Sequence, residues 1–349
     1  MSKAYLVLED GSVFEGIRIG APVDAAGELV FTTGMCGYVE TLTDPSYAGQ
    51  IVMQTFPMIG NYGVMEADFE GDCALRGYVV RECCTGPSNF RFQYDLDTFL
   101  KNKGIPGISG IDTRQITTIL REKGTMKAIL CSELPAQPVF PEAGYLVPQV
   151  STSAPAVFPA EGGKKVAVLD LGVRRSLINA LTERGCEVTL FPYNTPAQTL
   201  LDAQVDGLIL PTGPGDPMDC GEIVQEIAKL VGKLPIFGIG LGHELLALAQ
   251  GGKTYKLPHG HRGENQPVKD TVTGLTHITS QNHGYCVDPE SLPGVAIARW
   301  VNVNDGSCEG LDYPGKNCFS VQFYPEGCAG TRDAQKLLER FIDMMGGNN

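Results

Sequence analysis

The chain has 349 residues, which is too long for one typical domain and enough for two that each bury a core. Its 27 Lys and Arg residues against 40 Asp and Glu residues give a formal net charge of -13, and an acidic chain repels phosphate backbones and anionic lipids. We therefore expect no nucleic-acid partner and no membrane partner, and the 43% hydrophobic content is that of a globular protein.

The start of the chain predicts no export signal. Residues 1–10 carry one lysine and a short apolar run that ends in acids, which is not a signal-peptide pattern. The most apolar later stretch, 234–249, is interrupted by glycines, His243 and Glu244, so we expect no membrane span. We expect a cytoplasmic protein. The eleven cysteines agree with a reducing compartment, because their number is odd and they form no C-x-x-C pair.

The first half of the chain, residues 1–150, is predicted to be a β-rich α+β domain. Its pattern predicts one helix, at 113–122, and short strands at 5–8, 12–14, 29–31 and 51–54. Residues 151–164 are rich in Pro, Gly, Ser and Ala without periodicity, which is typical of a linker. We therefore predict a linker over 151–164 and a second domain over 165–349.

The second half alternates between strand and helix patterns. Predicted strands lie at 165–171, 186–191, 207–210 and 235–239, and predicted helices at 174–184, 195–203, 223–230 and 241–250. This alternation predicts βαβ units with right-handed crossovers, and hence an α/β domain with a doubly wound parallel sheet. Ligands of such sheets bind beyond the carboxyl ends of the strands, so the loops after residues 210, 239 and 323 are the candidate binding loops.

A strand, a glycine-rich turn and a helix follow one another at residues 235–249. Gly238, Gly240 and Gly242 lie in the turn, as in a nucleophile elbow, where a sharp strand-to-helix turn lifts one side chain beside backbone N–H groups that can stabilise an oxyanion. The spacing does not fit a dinucleotide-binding G-x-G-x-x-G loop, because His243 stands at the last glycine position. The pattern therefore predicts an elbow whose apex, Gly240, has no side chain.

Residues 238–244 resemble the G-x-C-x-G-x-Q elbow of class I glutamine amidotransferases. The whole chain is similar to the small subunits of carbamoyl-phosphate synthetase, and the matching segments extend over nearly its full length. They are residues 6–16, 33–38, 42–51, 59–64, 110–114, 213–217, 260–263, 281–284 and 321–326. The N-terminal segments are specific to this family. The chain is therefore identified as a member of it, with a C-terminal domain of the class I glutamine amidotransferase type.

The resemblance implies a division of work between two subunits of a heterodimer. In that family, the small subunit hydrolyses glutamine and passes ammonia through a tunnel to a large subunit. The large subunit uses bicarbonate and two ATP to make carbamoyl phosphate for arginine and pyrimidine synthesis. We therefore expect ATP and Mg²⁺ on the large subunit, and no cofactor and no metal in this chain. Glutamine hydrolysis needs a cysteine thiolate, a histidine base and a glutamate that orients the histidine.

The sequence departs from that catalytic set at two of its three positions. Gly240 occupies the nucleophile position and Tyr324 the base position, and only Glu326 is kept. A phenol, with an ordinary pKa of about 10, is a poor base at neutral pH. A further change, Glu244, replaces a glutamine of the family and puts a carboxylate against the expected glutamine pocket. We therefore predict that the chain no longer hydrolyses glutamine.

Further positions match the residues that bind glutamine in the family. Hydroxyl, amide and backbone N–H groups at these positions suit the ammonium, carboxylate and amide groups of an amino acid. They are Ser46, Gly213, Gly215, Leu241, Glu244, Asn282, Gly284 and Tyr285. Glutamine is thus one expected ligand of this chain. The alternative is that these residues now serve only turns and packing.

Cys286 and the histidines are the other residues with reactive side chains in the second half. Cys286 is a weak candidate for a replacement nucleophile, because a reactive thiol needs a base and an electropositive environment. His243, His259, His261 and His277 are predicted to be structural hydrogen-bonding residues, because the sequence gives them no matched set of metal ligands.

Two functions are compatible with these features. In the first, the chain is a small subunit that binds the large subunit, and the complex relies on free ammonia. In the second, the chain is a non-catalytic paralogue that acts as a regulatory or glutamine-sensing binding protein. The N-terminal segments, which are expected to face the large subunit, are kept while the glutaminase set is not. This difference favours the first function.

Overall fold

The computed structural model describes residues 2–327 and 329–346. The chain divides into two compact units, Met1–Leu146 and Val147–Asn349. Throughout the described residues, no helix combines the length and the apolar character that crossing a membrane requires. Each unit has its own buried clusters of hydrophobic side chains, so each has the core that the length of the chain predicts.

The first unit is built around a closed β-barrel. Its strands are β1 (Lys3–Leu8), β2 (Val13–Gly20), β3 (Ala25–Thr32), β4 (Gln50–Gln54), β5 (Met58–Ile59), β6 (Gly77–Val79), β7 (Glu82–Cys83), β8 (Pro106–Ser109) and β9 (Met126–Cys131). Its helices are α1 (Tyr38–Thr43), α2 (Leu96–Asn102) and α3 (Thr113–Lys123), with 3-10 turns at Pro45–Tyr47 and Glu66–Asp68. The barrel runs in the order β1-β2-β8-β6-β4-β3-β9 and closes between β9 and β1, while β5 and β7 pair separately.

Apolar side chains from strands and one helix share a core in this unit. Leu29 of β3 and Ile51 of β4 lie opposite each other in register, and both are buried. Helix α3 begins after Asp112, whose carboxylate caps the helix by accepting a backbone N–H of its first turn. Ile116 and Leu120, one turn apart on α3, belong to the same buried cluster as the two strand residues. The predicted helix and the four predicted strands are therefore present, and β2 and β3 extend beyond the predicted ranges.

The second unit contains a mixed sheet with helices on both faces. Its strands are β10 (Ala156–Phe158), β11 (Lys164–Asp170), β12 (Cys186–Pro192), β13 (Gly207–Leu210), β14 (Ile236–Ile239), β15 (Lys253–Asp270), β16 (Thr276–Asp288), β17 (Ile297–Asn302), β18 (Cys308–Tyr313) and β19 (Cys318–Val321). Its helices are α4 (Val147–Val150), α5 (Arg175–Thr182), α6 (Ala197–Asp202), α7 (Gly221–Leu230), α8 (Leu241–Leu248) and α9 (Lys336–Met345), with 3-10 turns at Pro217–Cys220, Pro289–Ser291 and Asp333–Gln335. Within the described residues, the strand order is β10-β12-β11-β13-β14-β19-β18-β16-β15-β17.

The parallel part of this sheet determines where a site can form. Strands β12, β11, β13, β14 and β19 are neighbours in that order and all run parallel, so their carboxyl ends meet at one edge. Along β11, Val166 and Val168 pack in the cluster that contains residues of α5 and α9, while Ala167 and Leu169 pack in the cluster that contains residues of α6, α7 and α8. The sheet is therefore buried on both faces, which leaves its carboxyl edge as the place for a ligand.

The predicted linker is wrong for part of its length. Within 151–164, Ala156–Phe158 forms β10, which pairs antiparallel with β12 and adds an edge strand to the sheet of the second unit. The content of Pro and Gly favours an irregular segment, but three extended residues are enough to pair with an open sheet edge. The other predicted elements of the second half are present, with ends shifted by at most about two residues.

Candidate active site at the strand-to-helix elbow

Three loops meet at the carboxyl edge of the parallel strands. The N–H of Gly240, between β14 and α8, donates to the carbonyl of Val321 at the end of β19, at 2.9 Å. The N–H of Gly242 donates to the carbonyl of Pro211, in the loop after β13, at 3.0 Å. These backbone hydrogen bonds hold the elbow between the segments that follow β13 and β19.

Gly240 is the apex of the elbow and has the backbone conformation that the sharp turn requires. It lies at φ 57° and ψ -117°, a conformation that L side chains rarely adopt. A Cβ placed on Gly240 would lie 2.9 Å from Oγ1 and 3.1 Å from Cβ of Thr212. The turn is equally crowded at Gly242, where a Cβ would lie 2.0 Å from the carbonyl oxygen of Leu210. The predicted elbow is therefore present, its apex has no side chain, and Thr212 packs against the apex.

Tyr324 and Glu326 lie in the segment after β19, and both are buried. The guanidinium of Arg174, at the start of α5, lies 4.2 Å from the centre of the Tyr324 ring, in a cation–π contact. Nη1 of Arg174 donates to Oε1 of Glu326 at 3.3 Å, and the hydroxyl of Ser176 donates to the same oxygen at 3.4 Å. The carboxylate of Glu326 is therefore neutralised by a buried guanidinium, which cannot act as a base.

Glu244 lies on α8 one turn after Gly240, and its side chain is almost fully buried, at 3% exposure. Nε2 of Gln322, which directly follows β19, donates to Oε1 of Glu244 at 3.0 Å. Burial and, to a smaller extent, the negative charge of Asp216 together raise the pKa of Glu244 to about 8, against the effect of the Gln322 hydrogen bond. Glu244 therefore takes up or releases a proton close to neutral pH.

The predicted glutamine-binding glycines of the loop after β13 pack directly against the elbow. A Cβ on Gly213 would lie 2.8 Å from Cδ2 of Leu241, the first residue of α8, and 2.3 Å from the carbonyl oxygen of Leu171. Gly215 lies at φ 95°, in the region that favours glycine. The structure thus brings Gly213 and Leu241 together, and the close approach of the backbones explains why glycine is needed at 213.

The remaining predicted glutamine-binding residues lie on β16 and in the first unit. Asn282, Gly284 and Tyr285 are part of β16, and the backbone N–H of Tyr324 donates to the carbonyl of Ser280 on that strand at 3.0 Å. This hydrogen bond connects β16 to the segment that carries Glu326. Ser46 is a buried residue of the Pro45–Tyr47 turn in the first unit. Its assignment to the glutamine site therefore rests on the family resemblance alone.

A largely buried polar network joins strands β15, β16, β17 and β18 and the turn before β18. It confirms the prediction that His261 is a structural hydrogen-bonding residue, but the sequence did not predict its partners. Nδ1 of His261 lies 3.1 Å from Oε1 of Glu309, and its Nε2 lies 2.9 Å from Oδ2 of Asp305. Asn302 and Gln281 each donate a side-chain N–H to Glu309, at 2.9 and 3.0 Å. We call these five residues the histidine network. His283 lies beside it, with its ring edge-on to that of His261.

The histidine network is an ion-paired arrangement centred on His261. Burial opposes a charge on His261, but the hydrogen bonds to Asp305 and Glu309 outweigh burial and raise its pKa to about 9. The hydrogen bond from His261, together with hydrogen bonds from Ser307 and the positive charge of the ring, holds the pKa of Asp305 well below the ordinary range. His261, His283 and Glu309 offer atoms within 4.8 Å of one another that could hold a metal ion, but the hydrogen bonds above already engage the atoms of His261 and Glu309.

Comparisons with known proteins cover both units. A family profile for the "Carbamoyl-phosphate synthase small chain, CPSase domain" matches residues 6–130, and one for "Glutamine amidotransferase class-I" matches residues 167–344. The chain is 47% identical over 352 residues to the carbamoyl phosphate synthase small chain of Lactococcus lactis subsp. lactis, covering 99% of each chain. It is 48% identical over 347 residues to the small chain of Clostridium perfringens, covering 97% of this chain and 99% of the relative. The chain belongs to the carbamoyl-phosphate synthase small-chain family.

A further relative has a more specific name. The chain is 47% identical over 358 residues to the carbamoyl phosphate synthase pyrimidine-specific small chain of Halalkalibacterium halodurans, covering 99% of this chain and 98% of the relative. The two profiles fall within different compact units, so the small-chain domain corresponds to the barrel unit and the class-I amidotransferase domain to the mixed-sheet unit. The membership that the motifs indicate is therefore confirmed.

Cys286 is the weak candidate for a replacement nucleophile that the sequence offered. The structure places it on β16, fully buried, with Sγ 3.3 Å from the carbonyl oxygen of Cys308. Burial raises the pKa of the Cys286 thiol far above its ordinary value. A buried, protonated thiol is a poor nucleophile, so the geometry argues against this role for Cys286.

Proposed function

We propose that this chain is the small subunit of a carbamoyl-phosphate synthase whose own glutaminase is inactive, so that the complex uses free ammonia. The single observation that carries the proposal is the elbow apex. Gly240 has the strained conformation of a nucleophile elbow, with φ 57° and ψ -117°, but no side chain. Acyl transfer from glutamine needs a thiolate or hydroxyl at that point, and glycine cannot form the covalent intermediate.

The surroundings of Glu326 support the same proposal. In the active family this glutamate would orient a histidine base, whereas here its carboxylate is paired with Arg174 at 3.3 Å. Arg174 also packs against Tyr324, at the position where the base is expected. A guanidinium cannot accept a proton from a nucleophile, so neither the nucleophile nor the base of glutamine hydrolysis is replaced by a functional equivalent.

The proposed partner is a carbamoyl-phosphate synthase large subunit, which would carry ATP and Mg²⁺ in a cytoplasmic heterodimer. Arginine and pyrimidine synthesis are both candidate pathways, and one relative is named as pyrimidine-specific. We also infer that the mixed sheet is of the doubly wound class. The order β12-β11-β13-β14-β19 of its parallel strands, with α5 and α9 packing in one cluster and α6 to α8 in the other, supports this inference.

The test is carbamoyl-phosphate formation by the chain together with its large subunit, with ammonium or glutamine as the only nitrogen source. We expect product with ammonium and none above background with glutamine. The matched control is the large subunit alone with ammonium, which shows what the small chain adds. Equal product formation from glutamine and ammonium would overturn the proposal.

A set of back-changes tests the reason for the loss. Gly240→Cys with Tyr324→His restores the two missing groups, but a Cβ at 240 would lie 2.9 Å from Oγ1 of Thr212. We therefore expect the double variant to recover less glutamine use than the triple variant that adds Thr212→Ala. The glutamine use of each variant is measured as the rate at which it releases glutamate from glutamine. Equal recovery by the two would show that Thr212 moves aside without a penalty.

The alternative proposal is a non-catalytic paralogue that regulates an active complex or senses glutamine. The observation that favours it is the packing of Gly213 against Leu241, which keeps a predicted part of the glutamine pocket next to an apex without a nucleophile. Calorimetric titration of the chain with glutamine tests this function. Tight glutamine binding without any stimulation of a large subunit by the chain would favour the paralogue.

A further inference from the structure

The carboxylate of Glu244 lies beside the empty apex of the elbow. Helical residues four apart lie on one face, and helical side chains lean towards the N-terminus, so Glu244 lies over the turn that contains Gly240. Its hydrogen-bond partner Gln322 directly follows Val321, whose carbonyl accepts the N–H of Gly240. The carboxylate of Glu244 and the amide of Gln322 therefore form an acceptor pair next to the position where the family has its nucleophile.

This acceptor pair is short of hydrogen-bond donors. Gln322 gives one N–H to Oε1 of Glu244, while Oε1 of Gln322 is buried and has no hydrogen-bond partner among the described residues. The two atoms of one amide lie side by side, so the unpaired oxygen is close to the carboxylate. The charged group that acts on Glu244 is a second acid, Asp216, in the loop after β13. A buried acceptor without a partner, beside a carboxyl group that is itself acted on by an acid, favours a ligand that donates hydrogen bonds and carries a positive charge.

We propose that Glu244 and Gln322 bind an ammonium ion, and that Glu244 takes one proton from it to release ammonia for the large subunit. The inference rests on the proposed use of free ammonia. Ammonium has four N–H donors, which can serve a carboxylate oxygen and the Gln322 oxygen together. In the proton transfer, one N–H bond breaks and one O–H bond forms on Glu244. The electron pair of the broken bond stays on nitrogen as the lone pair of ammonia, and Glu244 later returns its proton to water.

The side chains of Glu244 and Gln322 suit an ammonium ion better than a divalent metal cation. A family glutamine at position 244 would be both donor and acceptor, whereas the ionised carboxylate of Glu244, which forms as pH rises to about 8, accepts only and so favours a ligand made of donors. Hard divalent cations require six or more oxygen ligands, and this pair offers the oxygens of two side chains. A carboxylate whose pKa is raised to about 8 is also a much better proton acceptor for ammonium than an ordinary glutamate.

The first experiment measures carbamoyl-phosphate formation by the complex with its large subunit as a function of ammonium concentration. Glu244→Gln keeps the shape of the side chain and removes the charge. Near pH 8 we expect it to raise the ammonium concentration for half-maximal rate by about tenfold or more, with little change in the maximal rate. Glu222→Gln, an exposed glutamate of α7, is the matched control and is expected to behave like the unchanged chain.

The pH dependence separates proton acceptance from a merely structural role. Asp216 is the titratable group that acts on Glu244, and Gln322 is neutral. Well below a pKa of about 8, Glu244 carries a proton and can neither bind nor deprotonate ammonium. The advantage of the unchanged chain over Glu244→Gln is therefore expected to grow as pH rises to about 8. A ratio that is independent of pH overturns the proposal.

The second experiment needs no large subunit. Ammonium chloride is expected to raise the midpoint of thermal unfolding of the chain above that in tetramethylammonium chloride at equal ionic strength, because the methylated ion has no N–H donor. The rise is expected to be lost in Glu244→Gln and kept in Glu222→Gln. An equal rise with potassium chloride, or a rise that Glu244→Gln retains, overturns the assignment of ammonium to this pair.

The two experiments keep this proposal distinct from the proposed function. A complex that makes no more product from ammonium than the large subunit alone contradicts the proposed function, while the unfolding experiment still decides whether ammonium binds. A complex that uses ammonium with the same half-maximal concentration in Glu244→Gln contradicts the ammonium site alone.

Discussion

The second unit buries two glutamates in opposite ways. Glu309, at 0% exposure, accepts hydrogen bonds from Asn302 and Gln281 and lies against the charged ring of His261. Glu244, at 3% exposure, accepts a hydrogen bond from the amide of Gln322, and the negative charge of Asp216 acts on it. Burial raises the pKa of both glutamates, but Glu309 has the partners of the histidine network to oppose that effect, whereas Glu244 has the amide of Gln322. The burial of Glu309 is therefore more fully compensated than that of Glu244.

This contrast indicates which of the two glutamates serves the structure. A buried charge with a full set of partners holds its strands in register and has nothing left for a ligand. A buried carboxyl group with too few partners lowers stability, and proteins keep such groups mainly at sites where they act on something else.

Glu309→Ala should have the largest effect. It removes the anion of the histidine network and leaves His261 and the amides of Gln281 and Asn302 without their shared acceptor. Loss of one partner of a buried ion pair lowers the free energy of unfolding by about 3 to 5 kcal/mol. Urea denaturation near neutral pH measures the change. A loss below about 1 kcal/mol would remove the distinction between the two glutamates.

Glu244→Gln should have the opposite sign at alkaline pH. The pKa of Glu244 is raised from 4.5 to about 8 in the folded chain, so the folded state holds a proton that the unfolded state releases between these values. The contribution of Glu244 to stability is therefore present below pH 4.5 and declines as pH rises to about 8. Above that pH we expect the variant to be more stable by a few kcal/mol, on the order set by linkage.

Urea denaturation of both chains at pH 4.5 and above pH 8 provides the measurement. At the lower pH the two chains are expected to be nearly equal in stability, because Glu244 is then neutral in the folded chain and only half ionised in the unfolded chain. A variant that is less stable than the unchanged chain above pH 8 would show that Glu244 is compensated as fully as Glu309.

Gly240→Ala tests the strain of the elbow. The φ of 57° and the contact with Thr212 both oppose a Cβ, so we expect a loss of about 1 to 3 kcal/mol in the free energy of unfolding. Gly221→Ala is the matched control, because a Cβ on Gly221 at the start of α7 would meet open space and its backbone is helical. The control is expected to gain up to about 1 kcal/mol. Equal effects of the two substitutions would contradict a strained elbow.

Asp305→Asn should have the smallest effect. It removes one of the two carboxylates that raise the pKa of His261, but the Asp305 side chain is 42% exposed and solvent screens it. We expect a loss of about 1 kcal/mol at pH 6 that fades above pH 9, where His261 is neutral in the folded chain. Nuclear magnetic resonance titration should show a lowered pKa for His261. An unchanged pKa would show that Glu309 alone raises the pKa of His261.

The sequence could predict the elbow because its determinants are local. Three glycines within five residues, between an apolar strand and a helix, specify both the turn and its empty apex. The histidine network could not be predicted in this way, since His261 and Glu309 are 48 residues apart and meet through the pairing of long strands. Strand β16 carries five consecutive buried polar residues, 279–283, so polar side chains are buried on both of its faces and the usual alternation of apolar and polar residues is missing there.

Long-range contacts also explain the other features that the sequence left out. Arg174 pairs with Glu326 across 152 positions, and no local pattern marks an arginine at the start of a helix as the partner of a distant carboxylate. The closure of the barrel joins β1 to β9, the first and last strands of its unit. The family resemblance predicts Gly240 and Tyr324 as catalytic positions, and the three-dimensional contacts show that Thr212 and Arg174 pack against these two residues.

The most direct test of the inactive glutaminase is the release of glutamate from glutamine by the purified complex of this chain with its large subunit. We predict no release above that of the large subunit alone, while the same preparation makes carbamoyl phosphate from ammonium. The triple variant Gly240→Cys, Tyr324→His and Thr212→Ala is the internal positive control. Glutamate release by the unchanged chain at the rate of an intact small subunit would contradict the account.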